Sequence, residues 1–119
     1  MSDESKTALI DFSYNDEEVS VDEIVERLQI ELLTLKRIDV TKVKIYHSDA
    51  ETSDGDSVAS VIRAELLELA RSEDIEAFAA GEVFGPFEKE GRQLVEIDPS
   101  FRQDEDWAKS NSEVTMVAL

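Results

Sequence analysis

Apolar and polar residues alternate from Thr7 to Tyr14, with Ile10, Phe12 and Tyr14 on one side and Asp11 and Ser13 on the other. A period of two predicts a half-buried strand, closed by the turn Asn15-Asp16-Glu17-Glu18. The period then changes. Val21, Ile24, Val25, Leu28, Leu32 and Leu35 fall on one stripe at helical spacing. Ser20 and Glu23 have the spacing of a capping box, and Asp22 and Glu23 suit the positive end of a helix dipole. Lys36 and Arg37 suit the negative end, so a helix is predicted from Ser20 to near Arg37. Ile30 and Leu33 fall outside its stripe.

Val40 to His47 reads as a second strand, with Val43, Ile45 and His47 on one face and Lys44 and Tyr46 on the other. Ser48 to Asp56 is an acidic loop. Ser57 to Arg71 is a second amphipathic helix, its stripe formed by Val58, Val61, Ile62, Leu66 and Leu69, with Leu67 pointing elsewhere. A short helix is expected over Glu73 to Ala80, capped by Gly81. Val83 to Phe87 and Gln93 to Ile97 read as a hairpin turning at Glu88-Lys89-Glu90-Gly91, with Pro86 placing the first of these strands at an edge. Asp98-Pro99 ends the pattern. Residues 99–113 are polar around Phe101 and Trp107, and the chain closes on the apolar run Val114-Thr115-Met116-Val117-Ala118-Leu119.

The order of elements predicts a single small α/β or α+β domain: a mixed sheet of four to five strands, two main amphipathic helices and a C-terminal extension. The expected division is a flexible arm over 1–6, the domain over 7–98, and an extension over 99–119 ending in a strand-like segment.

Composition sharpens the picture where pattern stops. A length of 119 residues suits one domain, and a hydrophobic fraction of 41% is too high for a disordered acidic chain. The 29 acids against 12 lysines and arginines leave a net charge of −17. The scattered bases offer no stripe for a phosphate backbone, so direct nucleic-acid binding is not expected, and neither is an anionic membrane surface. No window approaches the ~20 apolar residues of a membrane helix, and the polar start Met1-Ser2-Asp3-Glu4 does not resemble a signal peptide. With no cysteine there is no disulfide, thiolate metal site or thiol nucleophile. The expected location is the cytoplasm, or a virus particle assembled there.

Candidate chemistry is thin. His47 is the only histidine, has no Ser or Cys partner at an interpretable spacing, and reads as a hydrogen-bonded structural residue on an apolar strand face. The loop carrying Asp49, Glu51, Asp54 and Asp56 invites comparison with a calcium loop. With Gly55 at the glycine position, however, the first, third and twelfth positions are Ala50, Thr52 and Val61, and the pattern fails. Gly81 and Gly85 lack the spacing and the lysine of a phosphate loop. No enzyme, cofactor or metal is expected.

Contacts with other proteins are the remaining theme. Ile30, Leu33 and Leu67 lie off the main stripes, Phe101 and Trp107 sit in a polar stretch, and Val114, Met116 and Val117 form the apolar end. The last segment is expected in the domain's own sheet, the alternative being addition to a neighbour's sheet edge. The leading expectation is therefore a non-enzymatic structural or assembly subunit, homo- or hetero-oligomeric, in a high-salt host or its virus. The second expectation is an acidic inhibitor of a basic protein, either a DNA mimic or an antitoxin-like neutraliser. Charge density weighs against mimicry. Duplex DNA carries about one charge per 110 Å², whereas this chain averages one net charge per roughly 380 Å² of surface.

Overall fold

The computed structural model describes residues 7–12, 19–47 and 50–119. The N-terminal arm, Ser13, Tyr14, the turn 15–18, Ser48 and Asp49 lie outside the described residues. The elements are β1 (Ala8–Asp11), α1 (Val21–Arg37), β2 (Lys42–Tyr46), α2 (Val58–Arg71), β3 (Ala77–Ala80), α3 (Lys89–Ile97) and β4 (Val114–Ala118). Two short 3-10 turns, Gly81–Val83 and Pro99–Gln103, flank α3. This is an α+β domain with one four-stranded mixed sheet, two main helices and a shorter third.

The strand order is β1-β2-β4-β3. β1 runs parallel to β2, and β4 runs antiparallel to both β2 and β3. The last strand of the chain is therefore an inner strand. That explains why every residue from Val114 to Ala118 is buried: this inner strand is covered on both faces and has no side open to solvent.

Register sorts the side chains into two layers. One row runs Ile10, Ile45, Thr115, Ala80 across the sheet, and the next runs Leu9, Lys44, Met116, Ala79 on the opposite face. The first face packs on α1 and α2 through Ile24, Leu28 and Leu32 from one helix and Val58, Ile62 and Leu66 from the other. The second face packs on α3 and the two 3-10 turns through Phe84, Leu94, Val95 and Phe101.

The helix starts are fixed by local chemistry. Ser20 Oγ accepts from the Glu23 amide at 3.2 Å, and Glu23 Oε1 accepts from the Ser20 amide at 2.9 Å, completing the capping box. Asp54 Oδ2 accepts from the Val21 amide, so the acidic loop also caps α1. Ser57 caps α2 by accepting from the Ser60 amide.

Two expected elements differ. Residues 73–80 contain β3, not a helix. Glu73 takes φ 66 and breaks the helical path; beyond it Ile75 and Phe78 pack with the first-face cluster and Ala77 and Ala79 with the second. Pairing with β4 overrides the helix preference of alanine. Gly81 is accordingly no helix cap; it opens a 3-10 turn, buried against Asn111. The expected hairpin over 83–97 is instead a 3-10 turn, a loop and α3. Gly91, Leu94 and Val95 share the buried face at i, i+3, i+4. Gly91 is the close-approach residue: a Cβ there would stand 2.3 Å from the Gly85 carbonyl oxygen.

Candidate interaction surface

The polar stretch 99–113 holds Trp107 and Phe101, two of the expected contact residues, and the structure fastens it to the sheet. Phe84 is the hub. Its ring meets Phe101 edge-on at 6.0 Å and Trp107 edge-on at 5.0 Å between centroids. Phe101, Val114, Met116 and Val117 are 1%, 3%, 0% and 0% exposed, so these four are core residues and cannot reach a partner. Trp107 is partly buried against the same cluster. The segment is an integral layer of the domain rather than an extension, because its last strand lies between β2 and β3.

Charge chemistry secures that layer. Lys42 and Lys44 project from β2 onto the second face, one residue pair apart. Lys42 Nζ donates to Ser100 Oγ, and Ser100 Oγ donates to Asp98 Oδ1 at 2.7 Å. Lys44 Nζ lies 2.8 Å from Asp104 Oδ1 and 2.5 Å from Asp106 Oδ2. Burial works against the charge on Lys44, but the hydrogen bonds it donates to Asp104 and Asp106, with their negative charge, outweigh it and raise its pKa above the ordinary lysine value. Burial also opposes ionisation of Asp106; the bonds from Asn111 and Lys44 prevail and hold its carboxyl below the usual range. Asp98 is lowered in the same way, against burial, by the Ser100 hydroxyl and amide and the Lys42 charge. In the Lys42–Ser100–Asp98 chain the serine hydroxyl accepts from the lysine and donates to the carboxylate.

His47 is fully buried on the first face, and its Nε2 lies 2.9 Å from Thr115 Oγ1. Arg63 Nε donates to the same hydroxyl at 3.0 Å, and its NH2 group reaches Glu82 Oε1 and the Val114 carbonyl. Arg63 thereby joins α2, β4 and the turn after β3. The acidic loop is clasped on Thr52, whose hydroxyl accepts from the amides of Asp54 and Asp56. Among the described residues no three His, Asp or Glu side chains converge to hold a metal, and no helix is long and apolar enough to cross a membrane.

Of the expected contact residues, Ile30, Leu33 and Leu67 remain on the surface, 58%, 52% and 45% exposed. Ile30 and Leu33 stand together on the outer face of α1. A recess of about 280 Å³ opens beside Leu33 toward α2, walled by Leu32, Leu33, Leu69 and Ile75 with Gln29, Lys36 and Asp74 at its rim. A shallower groove flanks Ile30 on the other side, edged by Glu23, Glu26 and Arg27. Leu9, Ile38 and Phe87 are exposed too, at separate places: β1, the C-cap of α1 and the loop before α3. No protein-family model, curated protein or solved structure matches this chain.

Proposed function

We propose that this protein is a non-catalytic assembly subunit that works through protein contacts made by the outer face of α1. The observation that carries the reading is the adjacent pair Ile30 and Leu33, more than half exposed on a helix whose opposite stripe fills the core. An adjacent apolar pair on the solvent side of an otherwise core-facing helix is a feature that contact with another chain would cover. Of the tail residues that competed for this role, Phe101, Val114, Met116 and Val117 are buried in the domain and Trp107 is partly buried there. The reading fits a cytoplasmic subunit, or one packaged in a particle assembled there, where a cysteine-free domain needs no disulfide staple.

The test is photo-crosslinking in the cells that make the protein, with a benzophenone amino acid at position 33 and a control at Glu90, exposed on α3. Defined adducts, identified by mass spectrometry, are expected from position 33 only. The same adducts from both positions, or none from position 33, would refute the reading.

A further inference from the structure

We infer that α1 pairs with α1 of a second copy of this chain, antiparallel about a two-fold axis. This deepens the assembly reading above and rests on it by naming the partner. Glu26, Ile30, Leu33 and Arg37 are all exposed on α1. Their spacing of four, three and four places them on one narrow stripe, nearly opposite the core stripe, at 100° per residue. The spacing reads the same from either end, whereas the charge does not: the stripe begins with an acid and ends with a base.

A stripe of that kind is complementary to its own reverse. Antiparallel pairing centred between Glu31 and Leu32 sets Glu26 opposite Arg37 of the second copy, and Ile30 opposite Leu33. The two-fold then repeats both pairs. Parallel pairing would set Glu26 against Glu26 and Arg37 against Arg37, so charge selects the antiparallel direction. Both ends are free to serve. Neither Glu26 nor Arg37 makes an ion pair or a side-chain hydrogen bond with any other described residue. By contrast Arg27, one position along from Glu26, is engaged by Glu31 and the Asp11 carbonyl. The recess walled by Leu32, Leu33, Leu69 and Ile75 lies beside the ridge, flanking Leu33.

Size and charge set the strength. The stripe spans about 16 Å of helix, which places the contact below standard interface size and in the weak, reversible class. Each copy carries −17, so the bodies repel while the stripe attracts. Long-range repulsion is screened first, so association should tighten as salt rises from about 0.01 M to about 0.3 M.

The experiment is sedimentation velocity on the purified chain between about 10 µM and 1 mM, the range proper to weak interfaces. A concentration-dependent dimer is expected. Single changes E26R and R37E each bring like charges together twice and should weaken it by about tenfold or more, while the double change E26R/R37E should restore it. L33D should abolish it. All these positions are exposed, so circular dichroism should show an unchanged fold. Register has its own test, since the chain has no cysteine: mixed I30C and L33C proteins should oxidise to the mixed disulfide ahead of either homodimer. A chain that stays monomeric to 1 mM, a dimer indifferent to L33D and the charge changes, or homodimer disulfides matching the mixed one would overturn the proposal. Adducts from position 33 to a different protein would then show that the assembly reading survives without it.

Discussion

Lys44 Nζ lies 2.5 Å from Asp106 Oδ2 and ties β2 to a segment 62 residues further along the chain. Its second strong partner, Asp104, is equally sheltered, with side-chain exposures of 12% for the lysine and 11% for the aspartate. Removing the ammonium while keeping the stem should leave two sheltered carboxylates facing each other. Lys44→Met is therefore expected to cost about 2–3 kcal/mol of stability, measured by urea unfolding. Adding D104N and D106N to that variant should recover part of the loss. An unchanged midpoint for Lys44→Met would show that the cluster does not hold the tail down.

The same cluster sets the pH response. Asp98 and Asp106 are held below the ordinary carboxylate value of 3.8 in the folded chain, so unfolding raises their proton affinity. Their stabilisation is present above that value and is lost as pH falls toward the lower folded values. Lys44 is raised above 10.5, so its contribution is present below that value and is lost as pH rises through the folded one. Thermal unfolding across pH should show D98N and D106N losing less stability than the parent below about pH 4. Parallel acid limbs in parent and variants would contradict the assignment.

The sequence carried some of this plainly and hid the rest, for physical reasons. Ser20 with Glu23, and the stripe from Val21 to Leu35, fix α1 because cap and periodicity are local signals. β3 and α3 were hidden because both are decided by partners distant in sequence. Ala77 and Ala79 become a strand only because β4 supplies the ladder, and Gly91 sits in a helix only because its missing Cβ lets Gly85 approach. Ile30, Leu33 and Leu67 were visible as off-stripe residues and are exposed. Trp107 and Phe101 were ambiguous because nothing local reveals that Phe84 fills the space between their rings. The Lys42 and Lys44 anchors were legible only as a strand face, since their acidic partners lie far along the chain.

Gly91 offers a clean packing test. A Cβ added there would meet Gly85 O at 2.3 Å and Gly85 N at 2.4 Å, both backbone atoms that cannot rotate away. Although alanine favours a helix more than glycine does, Gly91→Ala should displace α3 and destabilise by about 2 kcal/mol or more. A thermal midpoint equal to or above the parent's would mean that α3 is free to slide outward at no cost.

Thr115 presents the opposite case, where shape is kept and polarity removed. Its hydroxyl accepts from Arg63 Nε at 3.0 Å and meets His47 Nε2 at 2.9 Å, in the middle of the sheet and with no exposure of its own. Thr115→Val is nearly isosteric and suits an inner strand, so strand propensity alone predicts a neutral or slightly favourable change. Hydrogen-bond bookkeeping predicts the reverse. The Arg63 Nε donor and the His47 ring nitrogen each lose this contact inside the protein, and a buried polar group left short of a partner costs about 1–3 kcal/mol. The second effect is larger, so the variant should be less stable than the parent by about 2 kcal/mol. Thr115→Ser, which keeps the hydroxyl and loses only a methyl group, should fall by roughly 1 kcal/mol. Denaturant midpoints for the two variants decide the matter, since a valine variant more stable than the serine one would show that packing, and not the His47–Thr115–Arg63 bridge, governs this strand.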